Sequence, residues 1–534
     1  MGRPRLIYKN KDLSQIVQSS DSPTLLGICG GAKWGPVYNP DVDDVPPFTL
    51  VGGSEQAVQL FGEPSLDTPL IYQLLSWFKL GSSVYVLRPQ GDSLYGGVNA
   101  EKGSEIQVLS SEVSTLADKL SSDGSKVVAI YTKYPGEHSE GDIYINILSV
   151  DDTTGTFSIE VGTKVIDGGT SIDTADPYYE YHDVSVVENS KDEMGRSLYI
   201  QDVLDKDSIL ITGRAIENAD VDDVPAESSN PITLGGQVFY KPTVGQMETA
   251  MEAFKMKDAV DIDLMILGDY FDEQTIVSKL TEVVEDRGDS FAIYAPDINA
   301  DWTLNGIKDP SAGWKSTLPD TWQAAPYAIY YKFYDVYNDK YVYINAAGAL
   351  AAGYSNNDNI AEQWYAPAGS PRGVQQGVEP AKKWKTGEQD ALYDEGINFV
   401  INNPSGGLTM EGIRTNYSKS SSAYSKVNVA RLLLRIRKDL TPFLSDFMYE
   451  FNNETTRELI ENGITDYLEG LEGRQALYDS LVVCSGGDEG NNPPSVIDQG
   501  KLIVDVYLKP SKAIEWLYLR TIVTSTGINF EDIA

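Results

Sequence analysis

The chain has 534 residues, enough for roughly three or four domains and for cores that need neither metal nor disulfide support. Its 42 Lys and Arg against 79 Asp and Glu leave a net charge of −37, and a surface that acidic repels phosphate backbones, which argues against direct nucleic-acid binding. The two cysteines, Cys29 and Cys484, and the two histidines, His138 and His182, are too few for a disulfide framework or a Cys/His zinc site.

No apolar run reaches the ~18 residues of a membrane span, and the basic start Met1-Gly2-Arg3-Pro4-Arg5 lacks the apolar stretch of a secretory signal. Residues 1–20 read as an arm: Leu6-Ile7-Tyr8 is a short β-type run followed by a Ser-rich linker. A short strand without a local partner has to find one elsewhere. From Thr24 the text becomes α/β. Thr24 to Cys29 and Phe48 to Val51 read as strands, 69–80 as a helix with apolar residues at helical spacing, and Val84-Tyr85-Val86-Leu87 as a strand. Strand, helix and strand at this spacing suggest a parallel βαβ unit.

Residues 101–235 change character, with 9 Lys and Arg against 27 Asp and Glu, a net of −18. Short alternating runs such as Asp142 to Leu148 and Thr156 to Val161, separated by Asp-Asp, Thr-Gly and Asp-Gly-Gly turns, predict an inserted all-β module with an acidic surface. Asp41-Val42-Asp43-Asp44-Val45-Pro46 recurs as Asp220-Val221-Asp222-Asp223-Val224-Pro225. The turn glycine and distal glutamate of an EF-hand loop are missing, so both copies read as acidic turns before an edge strand.

The α/β pattern returns at Thr243, with helices over 244–257 and 272–286, strands at 263–267 and 291–296, and an aromatic-rich span over 327–343. Residues 24–98 and 236–370 are therefore expected to form one discontinuous α/β core. Residues 379–534 hold 16 Lys and Arg against 23 Asp and Glu, yet 411–438 reverse sign, with seven basic residues against Glu411. Those seven are Arg414, Lys419, Lys426, Arg431, Arg435, Arg437 and Lys438, most of them on a long helix predicted from Val427. Such a face is either a solvated helix or a dock for an acidic protein. A second helix is expected near 455–470, and β runs at 502–508 and 514–524.

Catalytic motifs are absent. There is no Gly-x-Ser-x-Gly elbow, and both histidines fall in the acidic module, away from the α/β strand ends. Gly27 to Lys33 fails the phosphate-loop spacing, since Trp34 follows Lys33. Carboxylates are so abundant that an acidic glycoside hydrolase stays an alternative reading. No cofactor is expected.

The order Asn428-Val429-Ala430-Arg431-Leu432, Phe451-Asn452-Asn453-Glu454, Tyr467-Leu468, Asn491-Asn492-Pro493, Ile497-Asp498-Gln499-Gly500-Lys501-Leu502-Ile503-Val504-Asp505-Val506 and Thr526-Gly527 resembles the C-terminal domain of contractile-tail sheath proteins of phages and related injection machines. Gly27 through Gly35-Pro36, Phe61-Gly62, Val84 to Arg88 and Pro367-Ala368-Gly369 resemble earlier parts of the same family. The resemblance implies an α+β multidomain protein whose core is subtilisin-like without protease activity. Its parts would be an arm at 1–20, core segments at 21–100 and 236–378, an outward acidic insertion at 101–235, and a tube-facing C-terminal domain at 379–534.

It further implies a structural subunit of stacked hexameric rings around a tail tube protein, meeting baseplate and tail terminator proteins. Such a sheath belongs to the virion tail, is assembled in the host cytoplasm, and contracts without nucleotide to drive the tube through the envelope for genome ejection. Exchanged strands would link neighbouring subunits through Leu6, Ile7, Tyr8, Leu502, Val504, Val506, Leu508, Trp516 and Tyr518, and the basic helix residues Lys426, Arg431, Arg435, Arg437 and Lys438 would face the tube. Another virion protein, such as a tube or capsid subunit, is the remaining alternative.

Overall fold

The computed structural model describes residues 23–515, apart from 41–42, 44–45, 47, 110, 117–118, 121–125, 139–140, 176–177, 371, 404–406 and 488–489. These separate into two compact units, residues 23–363 with 367–438, and residues 364–366 with 439–515.

The first unit is built on a six-stranded sheet in the order Ala324–Pro326, Phe291–Tyr294, Leu264–Leu267, Leu26–Cys29, Val84–Leu87, Thr49–Val51. Five strands run parallel and Thr49–Val51 closes one edge antiparallel. Leu26 lies opposite Leu264 on one side and Val84 on the other, so the chain segments flanking the acidic insertion share one sheet. Every residue of Leu26–Cys29, Leu264–Leu267 and Phe291–Tyr294 is buried, as befits parallel strands covered on both faces. Alternate side chains serve two cores. Leu264 and Ile266 meet the helices Leu70–Trp77 and Ala347–Ile360, while Met265 and Leu267 meet Val244–Met251 and Gln274–Arg287. The Ala/Gly-rich start of Ala347–Ile360 permits close helix contact: a Cβ on Gly348 would lie 2.4 Å from the Gln73 carbonyl oxygen.

Apart from a small two-stranded sheet, Val165–Ile166 with Ser171–Ile172, the insertion is built on two four-stranded antiparallel sheets. One is ordered Ile211–Ala215, Val128–Thr132, Gly97–Ala100, Gln107–Val108, and the other Tyr178–Ser185, Thr156–Gly162, Tyr144–Asp151, Ile232–Thr233. Val98, Val128 and Ile130 of the first share a core with Ile145, Ile147 and Ile159 of the second. The module departs from the expected all-β segment in two ways. Its first sheet begins at Gly97, and it carries a helix, Ile200–Asp207, whose Ile200 and Leu204 lie over Gly213. The buried Arg88 guanidinium ties module to core by donating to the carbonyls of Ala32 (2.7 Å), Gly35 (2.7 Å) and Pro135 (2.9 Å). Nearby, a Cβ on Gly136 would lie 2.1 Å from the Lys33 carbonyl oxygen, and its φ of +114° also requires glycine.

The expected start of a C-terminal domain at 379 is corrected. Residues 379–438 group with the first unit, because Val378–Pro380 pairs with Tyr330–Asp335 and the Trp384 indole donates to the Ala328 carbonyl at 2.7 Å. The Asn398 side chain adds bonds to the carbonyls of Pro326 (3.1 Å) and Arg414 (2.8 Å). The aromatic span resolves into a hairpin, Tyr330–Asp335 with Lys340–Asn345.

The second unit centres on the helix Glu454–Gly473, opened by Asn453, whose side chain accepts from the Thr456 amide at 2.9 Å. Ile460, Ile464, Leu468 and Leu471 form its buried stripe at helical spacing. Beside the helix lies a two-stranded antiparallel sheet, Leu477–Val483 with Asp505–Pro510.

Candidate assembly interface

Two features of the sequence reading bear on assembly, the C-terminal β strands and the basic helix. In the second unit Ser480 pairs with Leu508 and Val482 with Val506, with an irregularity between Leu477 and Asp479. The strand Asp505–Pro510 begins three residues after the expected 502, because Leu502 to Val504 belong to a loop closed by two asparagines. The Asn491 amide donates to the carbonyls of Val483 (2.7 Å) and Ile503 (3.1 Å) and to the Asp505 carboxylate (3.0 Å). The buried Asn492 donates from its amide nitrogen to the Ile503 carbonyl (2.8 Å) and accepts from the Ile503 N–H at its oxygen (2.7 Å). This pair fixes the register of the two strands across a twenty-odd-residue excursion.

Among the described residues each strand has one neighbour, so the sheet has two open edges. Leu502, Val504, Val506 and Leu508 are all half-buried, a row of alternating apolar side chains incompletely covered. Tyr478, Leu481 and Tyr507 are exposed on the same pair. A two-stranded sheet with a helix on one face is a marginal element, and a third strand is the usual remedy. Leu6, Ile7, Tyr8, Trp516 and Tyr518 lie outside the described residues, as does the β run expected at 514–524 from residue 516 onward. The strand Leu477–Val483 was not anticipated. Its run Leu481-Val482-Val483 is a strand signal, but Asp479 and Ser480 interrupt the alternation.

The basic helix is corrected. Val427–Ser445 forms as expected, with Val427, Ala430 and Leu434 in the core, but its cations do not make an open face. Arg431 is 3% exposed and donates to both oxygens of Asp358 at 2.7 and 2.6 Å, with its guanidinium 5.2 Å from the centre of the Tyr354 ring. Lys438 pairs with Asp263 (2.7 Å) and Asp261 (2.6 Å). Arg435 is buried beside Asp263 and Asp289 around a cavity of about 10 Å³. Arg437 is exposed and lies over the Trp322 ring, and Lys426 is half-buried. Arg431 and Lys438 are thus answered by carboxylates on other elements of the same unit, and Arg431 and Arg435 are buried within it, so the helix does not present its cations as one open face. The physical reason is that a buried cation needs a fixed anion, and Asp358 and Asp263 supply them to Arg431 and Lys438.

The remaining chemical candidates have local roles. His138 stacks edge-on against Trp34 with ring centres 5.1 Å apart, and burial pushes its pKa down to about 4. His182 is exposed, 3.4 Å from Glu180. Of the repeated acidic turns, the second spends Asp222 and Asp223 on Lys102 at 2.6 and 3.1 Å, while most of the first lies outside the described residues. No cluster able to hold a metal occurs among the described residues. Burial also holds the Cys29 thiol far above its ordinary range.

The model of the phage tail sheath C-terminal domain family matches residues 419–524, which include the long helix, both C-terminal strands and the asparagine loop. The tail sheath protein of Vibrio phage KVP40 is 35% identical over 205 residues, covering 38% of this chain and 30% of that protein. The tail sheath protein of Enterobacteria phage T4 is 26% identical over 373 residues, covering 66% of this chain and 55% of that protein. These matches span less than two thirds of the length of either relative. In fold, the chain resembles the helical sheath of the anti-feeding prophage in its contracted state, with a TM-score of 0.54 at 15% identity over 98% of this chain and 99% of that one. The chain is thus similar to phage tail sheath proteins, and its residues 419–524 match the model of their C-terminal domain.

Proposed function

We propose that the chain is a structural subunit of a contractile tail sheath. It polymerises as stacked hexameric rings around a tail tube, engages baseplate and terminator proteins at the ends, and contracts to drive the tube through a host envelope. The observation that carries this reading is the two-stranded C-terminal sheet, open on both edges among the described residues, inside the segment that matches the sheath C-terminal domain. Strand addition uses main-chain hydrogen bonds, so an extended arm and an open edge suffice. The arms would be the segment holding Leu6, Ile7 and Tyr8 and the segment after Ile514 with Trp516 and Tyr518; Val506 and Leu508 lie on one receiving strand.

In this reading the core of 21–100 and 236–378 moves as a rigid body, the acidic insertion points outward, and the arms act as hinges. The role is structural, and no catalytic step is assigned. Contraction needs no nucleotide if the extended state is metastable: an extra ~200 Å² of apolar burial per subunit would release ~5 kcal/mol, multiplied along the stack. The particle is assembled in the host cytoplasm and sits in the virion tail or in an injection machine of the same kind.

Negative-stain electron microscopy of the purified chain at rising concentration tests the proposal. Wide, ridged tubes of variable length support it. Monodisperse particles at every concentration, unchanged when the cognate tube is added, refute it.

A further inference from the structure

The three-stranded antiparallel sheet of the first unit, ordered Lys340–Asn345, Tyr330–Asp335, Val378–Pro380, buries one face and presents the other. Tyr331, Phe333, Val342 and Ile344 enter the core, whereas Tyr334, Tyr341 and Tyr343 are 43%, 58% and 54% exposed. The register sets Tyr334 opposite Tyr341 and Lys332 opposite Tyr343. The outward rings form a ladder, with centres 5.1 Å apart for Tyr334 and Tyr341, 5.8 Å for Tyr330 and Tyr343, and 4.5 Å for Trp302 and Tyr330. In a chain rich in carboxylates, a contiguous exposed aromatic face of this kind marks an interaction site.

Lysines accompany the rings, and two carboxylates answer part of them. The Lys332 ammonium lies 3.9 Å from the centre of the Tyr341 ring and 3.6 Å from the Glu379 carboxylate, and the Tyr334 hydroxyl donates to Asp339. Three more lysines, Lys340, Lys382 and Lys383, flank the face. Lys382 donates to the Trp302 carbonyl at 2.7 Å and lies 4.3 Å from the centre of the Trp384 ring. Among the described residues none of these three has a carboxylate partner, in a chain where acids outnumber bases 79 to 42.

We infer that this tyrosine–lysine face docks the acidic insertion of a second copy of the chain. Residues 101–235 carry a net −18, the largest net charge of the chain's segments, and complement a face at which Lys340, Lys382 and Lys383 have no carboxylate partner among the described residues. The face is exposed in the unit that also contains the insertion, so the chain's own insertion does not cover it. The inference rests on the assembly reading above and names one contact surface within it.

Carbodiimide cross-linking of an equal mixture of unlabelled and nitrogen-15-labelled full chain tests it under assembling conditions. Mixed-isotope cross-links are expected from Lys332, Lys340, Lys382 or Lys383 to carboxylates within 97–235. The double substitution Tyr341→Ser, Tyr343→Ser, on an outward face and expected to leave the melting transition in place, should raise the critical concentration for assembly about tenfold or more. Assembly with mixed-isotope cross-links from these lysines absent or landing elsewhere overturns the inference and leaves the sheath reading standing. So does a folded serine variant that assembles at the parent's concentration. A chain that never assembles, with or without its tube, overturns both.

Discussion

The Arg431 guanidinium and the Asp358 carboxylate close a bidentate ion pair between the helices Val427–Ser445 and Ala347–Ile360. The Thr24 hydroxyl donates to the same carboxylate at 2.5 Å, which draws the entrance of the first core strand into the network. Three distant parts of the chain therefore meet at one carboxyl group. Removing either charge strands the other in a buried site, whereas removing both leaves an apolar contact. Arg431→Met or Asp358→Leu alone should cost about 3–5 kcal/mol in denaturant unfolding, and the double variant should come back to within about 1–2 kcal/mol of the parent. Additive losses in the cycle would mean that the pair is not coupled.

A second carboxylate predicts a pH effect of opposite character. Burial raises the Asp272 pKa to about 6 despite the Asp297 N–H donated to it at 2.8 Å, and the nearby Asp297 charge adds to the rise. A folded-state pKa above the unfolded value means that the folded chain holds the proton more tightly. Its contribution favours folding at low pH and is lost as pH rises from about 4 to about 6, staying absent above that. Asp272→Asn keeps the acceptor oxygen and removes the charge. The variant should be more stable than the parent at pH 7, by on the order of 2 kcal/mol, with the advantage vanishing near pH 4. Parallel stability curves for parent and variant across that window would contradict the assignment.

Asn491 and Asn492 give a third prediction. Asn492 holds both backbone groups of Ile503 and is fully buried. Asn492→Ala should therefore cost about 1–3 kcal/mol and loosen the strand that follows. Amide hydrogen exchange should accelerate at Val506 and Leu508, which pair with Val482 and Ser480, more than within the helix Glu454–Gly473. Uniform acceleration would show that the loop is not a separate lock.

What the sequence disclosed follows from the range of the interactions involved. Continuous apolar runs such as Leu264-Met265-Ile266-Leu267 announce buried parallel strands locally, and a break in charge density announces the insertion. Arg431 could not be read this way. Its partner lies 73 positions earlier on a polar stretch of another helix, so a helix face dense in cations looked solvent-directed. The helix Ile200–Asp207 was hidden by its brevity, with only Ile200 and Leu204 buried. Asn491-Asn492-Pro493 was visible only as a recurring string; its meaning, a clamp on Ile503, depends on a loop closure that no periodicity encodes. The tyrosine ladder was legible as composition over 327–343, yet which rings face outward required the register of Tyr330–Asp335 on Lys340–Asn345.

The strand-exchange proposal yields the last prediction. The Ser511 amide donates to the Ala476 carbonyl at 3.0 Å, extending the ladder just beyond Pro510, so a chain ending at Ala513 retains the whole two-stranded sheet and its helix. That truncation removes Ile514 and everything after it, including Trp516 and Tyr518, and deletes the proposed arm without touching the receiving edge. The product should be a folded monomer, with the parent's near-ultraviolet circular dichroism, that forms no tubes at concentrations where the parent does. Because strand addition draws on backbone hydrogen bonds, alanine substitutions along the same segment should weaken assembly far less than its removal. Normal tubes from the truncated chain would remove the C-terminal arm from the assembly mechanism and leave the N-terminal segment to carry the linkage alone.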